Sequence, residues 1–509
     1  MSTSSIVLIG DVTLAWQDVV AIAAGEPASL SGAAERRMAT SRSVVDSIVR
    51  DGVRAYGVNT GLGGLSQVVL SSDRLVAFSL NTLKSHACGV GAPLPAIQVR
   101  AIMVAAVQNF AHGRSGISPR IPVALLSLLN AGLTPVVPAG GSVGYLTHMA
   151  HIGLALVGLG EIEVAGQVRA AADALTEARL EPLHLFAKDG LSLVNGTPCA
   201  SGLLSVAMAD AVRLARWADV VAAMSFEALR GQSDAFDADA LAAKPHPGAQ
   251  LVGSNLRRLL AGSEHVSRHR GVRTQDALSL RAIPQVHGAT RDQLSHVERQ
   301  LNIELASSTD NPLIFGTPDN YRVLSQANPH GQSLAFAADL LALAAAELGG
   351  IAERRIYRLI DPSISGLPPF LLEAAGEHSG LMIAQYAAAS LAAENKLLAQ
   401  PLVVENFVTS ALQEDHLSFS TPGALKALKV LENVERILAI EYLTAGQALQ
   451  FVARDHLAFG TRAALDVLRS KTSLYVEDRI VSTDIEATVA LLREPGALAR
   501  IESEIGAGL

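Results

Sequence analysis

Five short segments of this 509-residue chain gather residue types that do chemistry. The first runs Tyr56-Gly57-Val58-Asn59-Thr60-Gly61-Leu62-Gly63. Its glycines permit positive φ and close backbone approach. The leading phenol serves as a proton acceptor if its pKa is lowered, or else as the aromatic anchor of a turn. The second, Lys84-Ser85-His86-Ala87-Cys88-Gly89, offers an imidazole beside an amine. The third is Asn195-Gly196-Thr197, a turn signal first and a polar ligand second. The fourth, Gln275 to Arg281, places a guanidinium in apolar surroundings. That fork suits a carboxylate, either of a substrate or of nearby Asp276. The fifth is Gln413-Glu414-Asp415-His416, two acids beside a histidine. These orient a heterocycle or cap a helix. On residues alone the chain reads as a helical enzyme for a small anionic substrate. It has no zinc-type Cys/His spacing, phosphate loop, dinucleotide fingerprint or nucleophile elbow.

Such loops need a rigid scaffold. Residues 32–50 carry Val44, Val45, Ile48 and Val49 at helical spacing. Residues 73–131 read as helices broken at Gly89–Pro95 and Ser115–Pro119, followed by a Pro/Gly loop from Pro135 to Gly144. Long helical patterns cover 292–306, 332–360, 379–400 and 423–453. The polar clusters Ser307–Pro312, Ser325–His330, Leu367–Phe370 and Thr409–His416 lie between them. No repeat, linker or low-complexity tract interrupts the pattern. The expected class is all-α, a superbundle of long helices with minor strands. It forms a single unit over 1–509, with a mixed helical part over 1–200 carrying site loops and a long-helix bundle over 201–509.

Composition sets the bounds. Apolar residues make up 49% and charged residues 17%, enough for a large core and a subunit interface. A net charge of -8 without a basic run argues against nucleic acid. Leu334–Ala352 is the best membrane candidate, but it contains Asp339 and Glu347, so no span is expected. Cys88 and Cys199 are expected to be buried, reduced thiols. No signal-peptide pattern opens the sequence, and the expectation is a cytoplasmic chain.

Taken in order, the segments resemble the histidine and phenylalanine ammonia-lyase family. The similarity covers about residues 30–500. Besides the segments above, it includes Gly141-Ser142-Val143-Gly144, Ser279-Leu280-Arg281, Pro284-Gln285-Val286, Asp310-Asn311-Pro312, Leu367-Pro368-Pro369-Phe370 and Glu394-Asn395-Lys396. The resemblance implies a homotetramer with each active site built from three subunits. It implies that Tyr56 removes the β-proton, that Arg281 anchors the carboxylate, and that Asn195 and Gln275 surround the amine and the electrophile. His86 and Glu414 resemble the pair that histidine-specific members place around the imidazole ring, with Glu414 able to share a proton with it.

The chain also departs from the family. Members build a methylidene-imidazolone electrophile from an Ala-Ser-Gly that follows Gly-Ser-Val-Gly. Here Gly144 runs into Tyr145-Leu146-Thr147-His148-Met149. Leu278 stands for a Tyr, Leu412 for an Asn, Pro329 for a Phe, and Lys84 for an apolar residue. Independent local changes agree that the cofactor is absent. An amine activated without an electrophile must already be a good leaving group, as trimethylammonium is. The expected reaction is therefore loss of trimethylamine from ergothioneine to give thiourocanate, as in ergothionase. Lys84 is a candidate for the thione sulfur, or a solvated surface residue. One alternative is a histidine ammonia-lyase that carries the modified tripeptide, absent from the sequence as written. The other is a non-catalytic imidazole-binding homologue. No metal is expected.

Overall fold

The computed structural model describes residues 6–373 and 376–509. It is mostly helical, as expected. The chain divides into two compact units whose segments interleave. The first comprises Met1–Ala209, Val297–Asp339 and Pro401–Leu428. The second comprises Asp210–His296, Leu340–Gln400 and Lys429–Leu509.

The first unit is built to hold loops. Its helix Gly32–Asp51 starts where Ser31 Oγ accepts from Ala34 N–H at 3.1 Å and stops at Gly52, which has φ +66°. These are ordinary N-cap and left-handed C-cap devices. The inner face of this helix, Val44, Val45 and Ile48, is fully buried against Ala55, Val58, Leu75 and Ile314. Ala55 and Val58 flank Tyr56 on either side, so this cluster nails down the Tyr56 loop. Burying a side chain of this size is worth about 1.5–3 kcal/mol. The helices Leu75–His86, Ala96–Ala111 and Arg120–Asn130 follow with the expected breaks between them. All strands among the described residues belong to this unit, in small sheets of two or three strands. One is the hairpin Leu313–Thr317 with Asn320–Leu324.

The second unit has only helices and loops among its described residues. One buried ion pair stands in its core: Arg355 forks onto Glu441 at 2.5 and 2.9 Å, and Glu441 also accepts from Ser225 Oγ at 2.7 Å. Breaking such a pair strands a buried charge, which costs about 3–5 kcal/mol.

Two sequence expectations need correction. The helix Pro198–Ala228 was not anticipated. Most of its residues are small or apolar and buried, and the partly exposed polar stripe of Asp210, Arg213 and Arg216 covers only about two turns, too little to give a clear period. Also, Cys88 is exposed while Cys199 is buried, and neither is in a disulfide. Two helices, Asp189–Ala228 and Gln332–Ile360, are long and apolar enough to cross a membrane by length and composition. Their apolar windows are 100% and 61% buried, as core helices are.

Candidate active site

A cavity of about 1250 Å³ opens in the first unit. Four of the expected residues line it: Tyr56, His86, Asn195 and Glu414. They come from sequence positions up to 358 residues apart, so only the fold brings them together.

Tyr56 sits at the head of its Gly-rich loop, half-buried, and Gly63 N–H donates to its Oη at 3.4 Å. Gly63 is a required glycine. It has φ +50°, and a β-carbon there would collide with Ser410 Oγ across the cavity. Burial pushes the Tyr56 phenol above its usual range; the Gly63 N–H opposes this, and Glu414 and Asp310 add to it. The free site therefore keeps Tyr56 protonated. A lowered pKa must come from something that enters the cavity.

His86 closes the helix Leu75–His86. Its Nδ1 lies 2.7 Å from the Thr82 carbonyl and 3.0 Å from Ser85 Oγ. A carbonyl can only accept, so Nδ1 carries the proton there and Nε2 is left as an acceptor. Glu414 is held by a tight backbone exchange. Thr409 N–H donates to Glu414 O at 2.8 Å, and Glu414 N–H donates to Thr409 O at 3.3 Å.

Asn195 is the C-cap of the helix Asp189–Val194 and is buried. Its Nδ2 donates to Asp310 Oδ1 at 3.0 Å and to Asn311 O at 2.9 Å.

The structure does not bring the other expected residues to this cavity. Lys84 is exposed and does not line it. On its helix Phe78, Thr82, Ser85 and His86 share the cavity-facing side, and Lys84 is off that stripe. Gln275 and Arg281 belong to the second unit and line a separate hollow of about 660 Å³. The alternative reading of Arg281, an ion pair with Asp276, is not what the two side chains form. Asp276 bonds Arg273 at 2.7 Å, and Arg281 Nε donates only to the backbone oxygen of Asp276, at 2.9 Å.

Sequence reasoning missed other residues of the cavity. Tyr145 lines it directly after Gly144. Burial pushes its phenol up to about 12, with Glu414 and Tyr56 adding to the shift. Leu146 has φ +77° and ψ -66°, and Thr147 N–H donates to Tyr145 O at 3.1 Å. This is a strained γ-turn. A non-glycine residue there costs about 1–3 kcal/mol, which surrounding bonds must hold. They are present: Leu146 N–H donates to Val194 O at 3.0 Å, Ser142 Oγ to Tyr145 O at 3.2 Å, and Thr421 Oγ1 to Gly144 O at 2.8 Å. Gly144 itself has φ +142°, and a β-carbon would meet Ser418 Oγ at 2.7 Å. The signal in the sequence was an aromatic residue after a Gly-Ser-Val-Gly run. A histidine pair was missed too: His330 Nε2 lies 3.0 Å from His416 Nδ1, both on the cavity wall. Burial, with His416 beside it, lowers the His330 pKa.

The loop does not fit a cofactor built from Ala-Ser-Gly, because only Tyr145 and Leu146 lie between Gly144 and the helix Thr147–Leu156. The tripeptide does occur once, at Ala200-Ser201-Gly202, inside the helix Pro198–Ala228. There Ser201 Oγ donates to Thr197 O at 3.0 Å, and a β-carbon on Gly202 would meet the Ile102 backbone at 2.6 Å. Helical amides are committed to carbonyls four residues back, so ring closure between neighbours has neither freedom nor space. Among the described residues no cluster of three or more His, Cys, Asp or Glu side chains could hold a metal.

Comparison with known proteins agrees with this architecture. The model of the aromatic amino acid lyase family matches residues 14–470. Histidine ammonia-lyase of Symbiobacterium thermophilum is 45% identical over 497 residues, covering 97% of this chain and 98% of that protein. Histidine ammonia-lyase from Trypanosoma cruzi superposes with a TM-score of 0.91 at 37% identity, over 98% and 96% of the two chains. The ergothioneine-degrading ergothionase of Treponema denticola, solved with desmethyl-ergothioneine sulfonic acid, superposes at 0.90 with 27% identity, over 97% and 100%.

Proposed function

The chain belongs to the aromatic amino acid lyase family of carbon–nitrogen lyases, and from that premise we propose that it eliminates a quaternary amine from an imidazole-bearing betaine without an electrophile made from its own backbone. One observation carries this reading: Tyr145 and Leu146 occupy the loop after Gly144, where the tripeptide would have to be.

The chemistry follows from competition for protons. A base able to take a β-proton meets an α-ammonium group first, because that N–H is a far stronger acid than the β C–H. Stripping its N–H removes the leaving group. A trimethylammonium has no N–H to lose. Tyr56 as phenolate takes the β-proton, the electrons form the Cα–Cβ double bond, and the C–N pair leaves with neutral trimethylamine. The products are the unsaturated acid, the amine and a protonated Tyr56. A bound cation acts against burial and Glu414, lowering the Tyr56 pKa when substrate is present.

The ring lies between His86 Nε2, an acceptor for a ring N–H, and Glu414. Ergothioneine is the best-fitting substrate. Lys84 has no part in the reading, because it is turned out of the cavity. The protein works as a homotetramer, in which the hollow holding Gln275 and Arg281 on one copy supplies the carboxylate anchor to the cavity of another. The cytoplasm is its expected compartment.

A second reading has its own support. The similar relatives are named histidine ammonia-lyases, at 45% and 42% identity for two of them. Those names favour histidine as substrate and ammonia as leaving group over the betaine. That reading requires a modified tripeptide that the sequence lacks after Gly144. Purified protein given ergothioneine and, separately, histidine decides between them, with intact mass measured alongside. Trimethylamine release and a mass matching the 53.1 kDa sequence support the betaine reading. Ammonia from histidine at an enzymatic rate, with a heavier chain, establishes the second.

A further inference from the structure

We infer that the buried Lys188–Asp310 pair is a positioning device that turns the amide of Asn195, so that only its carbonyl oxygen is offered to the cavity. The inference rests on the reading of the chain as an amine lyase, with either leaving group.

Asp310 is 1% exposed, and its carboxylate is fully occupied. Oδ2 accepts from Lys188 Nζ at 2.7 Å and from Ser192 Oγ at 2.9 Å. Oδ1 accepts from Asn195 Nδ2 at 3.0 Å and from Asn311 N–H at 2.7 Å. That uses about four lone-pair sites, the capacity of an ionised carboxylate. The second hydrogen of Asn195 Nδ2 goes to Asn311 O at 2.9 Å. Both partners of Nδ2 are pure acceptors, so a flipped amide would point oxygen at oxygen. Among the described residues nothing donates to Asn195 Oδ1. The negative end of its dipole thus faces the cavity, where it attracts a cationic amine through N–H or through polarised N–CH₃ groups.

The device is built at a cost. Lys188 is 2% exposed and has φ +68°, a strained conformation for a side chain of its size. It is the N-cap of the short helix Asp189–Val194, which Asn195 closes. Its Nζ reaches back along that helix to Ser192 Oγ at 3.0 Å. One helix thus carries the cation at its start, the bridging hydroxyl in its middle and the aimed amide at its end. Asp310 ties all three together.

The test uses the full chain in a Tyr56→Phe background, so that ligands bind without turnover. Calorimetry measures histidine, its trimethyl betaine and imidazolepropanoate, which lacks the amine. In Asp310→Asn, Lys188 claims the remaining side-chain oxygen and the new NH₂ faces Asn195. The Asn195 amide then either flips, setting its oxygen against Asn311 O, or loses its bond to position 310, and in both cases its oxygen is no longer fixed toward the cavity. Affinity for the two amine ligands falls about tenfold or more, and that for the propanoate changes less than about twofold. Adding Lys188→Met frees the oxygen of the introduced amide to face Asn195, and amine affinity recovers to within about threefold of the parent. Asn195→Ala reproduces the selective loss, and Asp310→Asn adds nothing to it. Equal loss for all three ligands, no recovery in the double variant, or additive effects overturn the inference. A parent that binds the propanoate as tightly as the amines also overturns it, because an acceptor aimed at a cation must discriminate. The lyase reading is judged separately, by amine release from the chain with Tyr56 intact.

Discussion

The two hollows of this chain have opposite chemical characters. The cavity of the first unit is lined by two phenols, a histidine pair, Glu414, Asp415 and Asn195, with one arginine, Arg54, whose guanidinium donates to Gln67 at 2.7 Å. It suits a cation and a ring. The hollow of the second unit holds Arg270, Arg273 and Arg281. Arg270 is paired with Asp234 at 3.0 Å and Arg273 with Asp276 at 2.7 Å. Among the described residues the terminal nitrogens of Arg281 have no partner, so its fork is free for a carboxylate. A substrate carrying both an ammonium and a carboxylate needs both kinds of surface. The chain makes each on a different unit, which is consistent with a site completed by assembly.

This contrast can be broken in stages. The largest effect belongs to Tyr56. Replacing it with Phe removes the proton acceptor and should lower kcat by about 10²–10⁴-fold at unchanged melting temperature; full activity would remove Tyr56 from the mechanism. Next comes Arg281→Lys, which keeps the charge and loses the fork. The expected result is a KM raised about 10–100-fold with kcat nearly constant. A fall in kcat alone would mean that the second hollow does not hold the carboxylate. Third is pH. As the proposed base, Tyr56 would act only when deprotonated, and the free protein holds its pKa above the usual range. So kcat/KM should rise with pH, by about tenfold per unit, well into the alkaline range. A plateau at neutral pH would point to another base. The smallest effect is that of Lys84→Ala, less than about twofold in any parameter, because the side chain is exposed and outside the cavity. A large loss would restore Lys84 to the site.

The fold was readable because its helices carry clear periods and punctuation. Gly32–Asp51 shows a buried stripe and both caps. Pro198–Ala228 has a polar stripe of only about two turns, at Asp210, Arg213 and Arg216, and so gave no clear period. Tyr56, His86, Asn195 and Glu414 could be singled out because each sits in a distinctive local segment, and the fold gathers all four on one cavity. Asp310 was legible only as part of an Asp-Asn-Pro motif. Its work depends on Lys188, 122 residues away in sequence, which no local pattern reveals. Of the two readings of Lys84, its exposed side chain follows the surface one, because adjacency to His86 in sequence is not adjacency on a helix face. His330 and His416 are 86 positions apart, and only the folded loops make them a pair.

The short turn at Tyr145 also bears on what mutation can reach. Substitution changes the residue at a position but not the number of positions. Two residues connect Gly144 to the following helix, and a cyclising tripeptide needs three. Point mutations can write Ala-Ser-Gly there only by taking Thr147 from the start of the helix or Gly144 from the turn, both of which hold the loop. If the betaine reading holds, a search for an ammonia-releasing descendant would do better to sample insertions, which would also have to melt the γ-turn. Random substitution libraries built on this chain should broaden its choice of ring or carboxylate long before they change how its amine leaves.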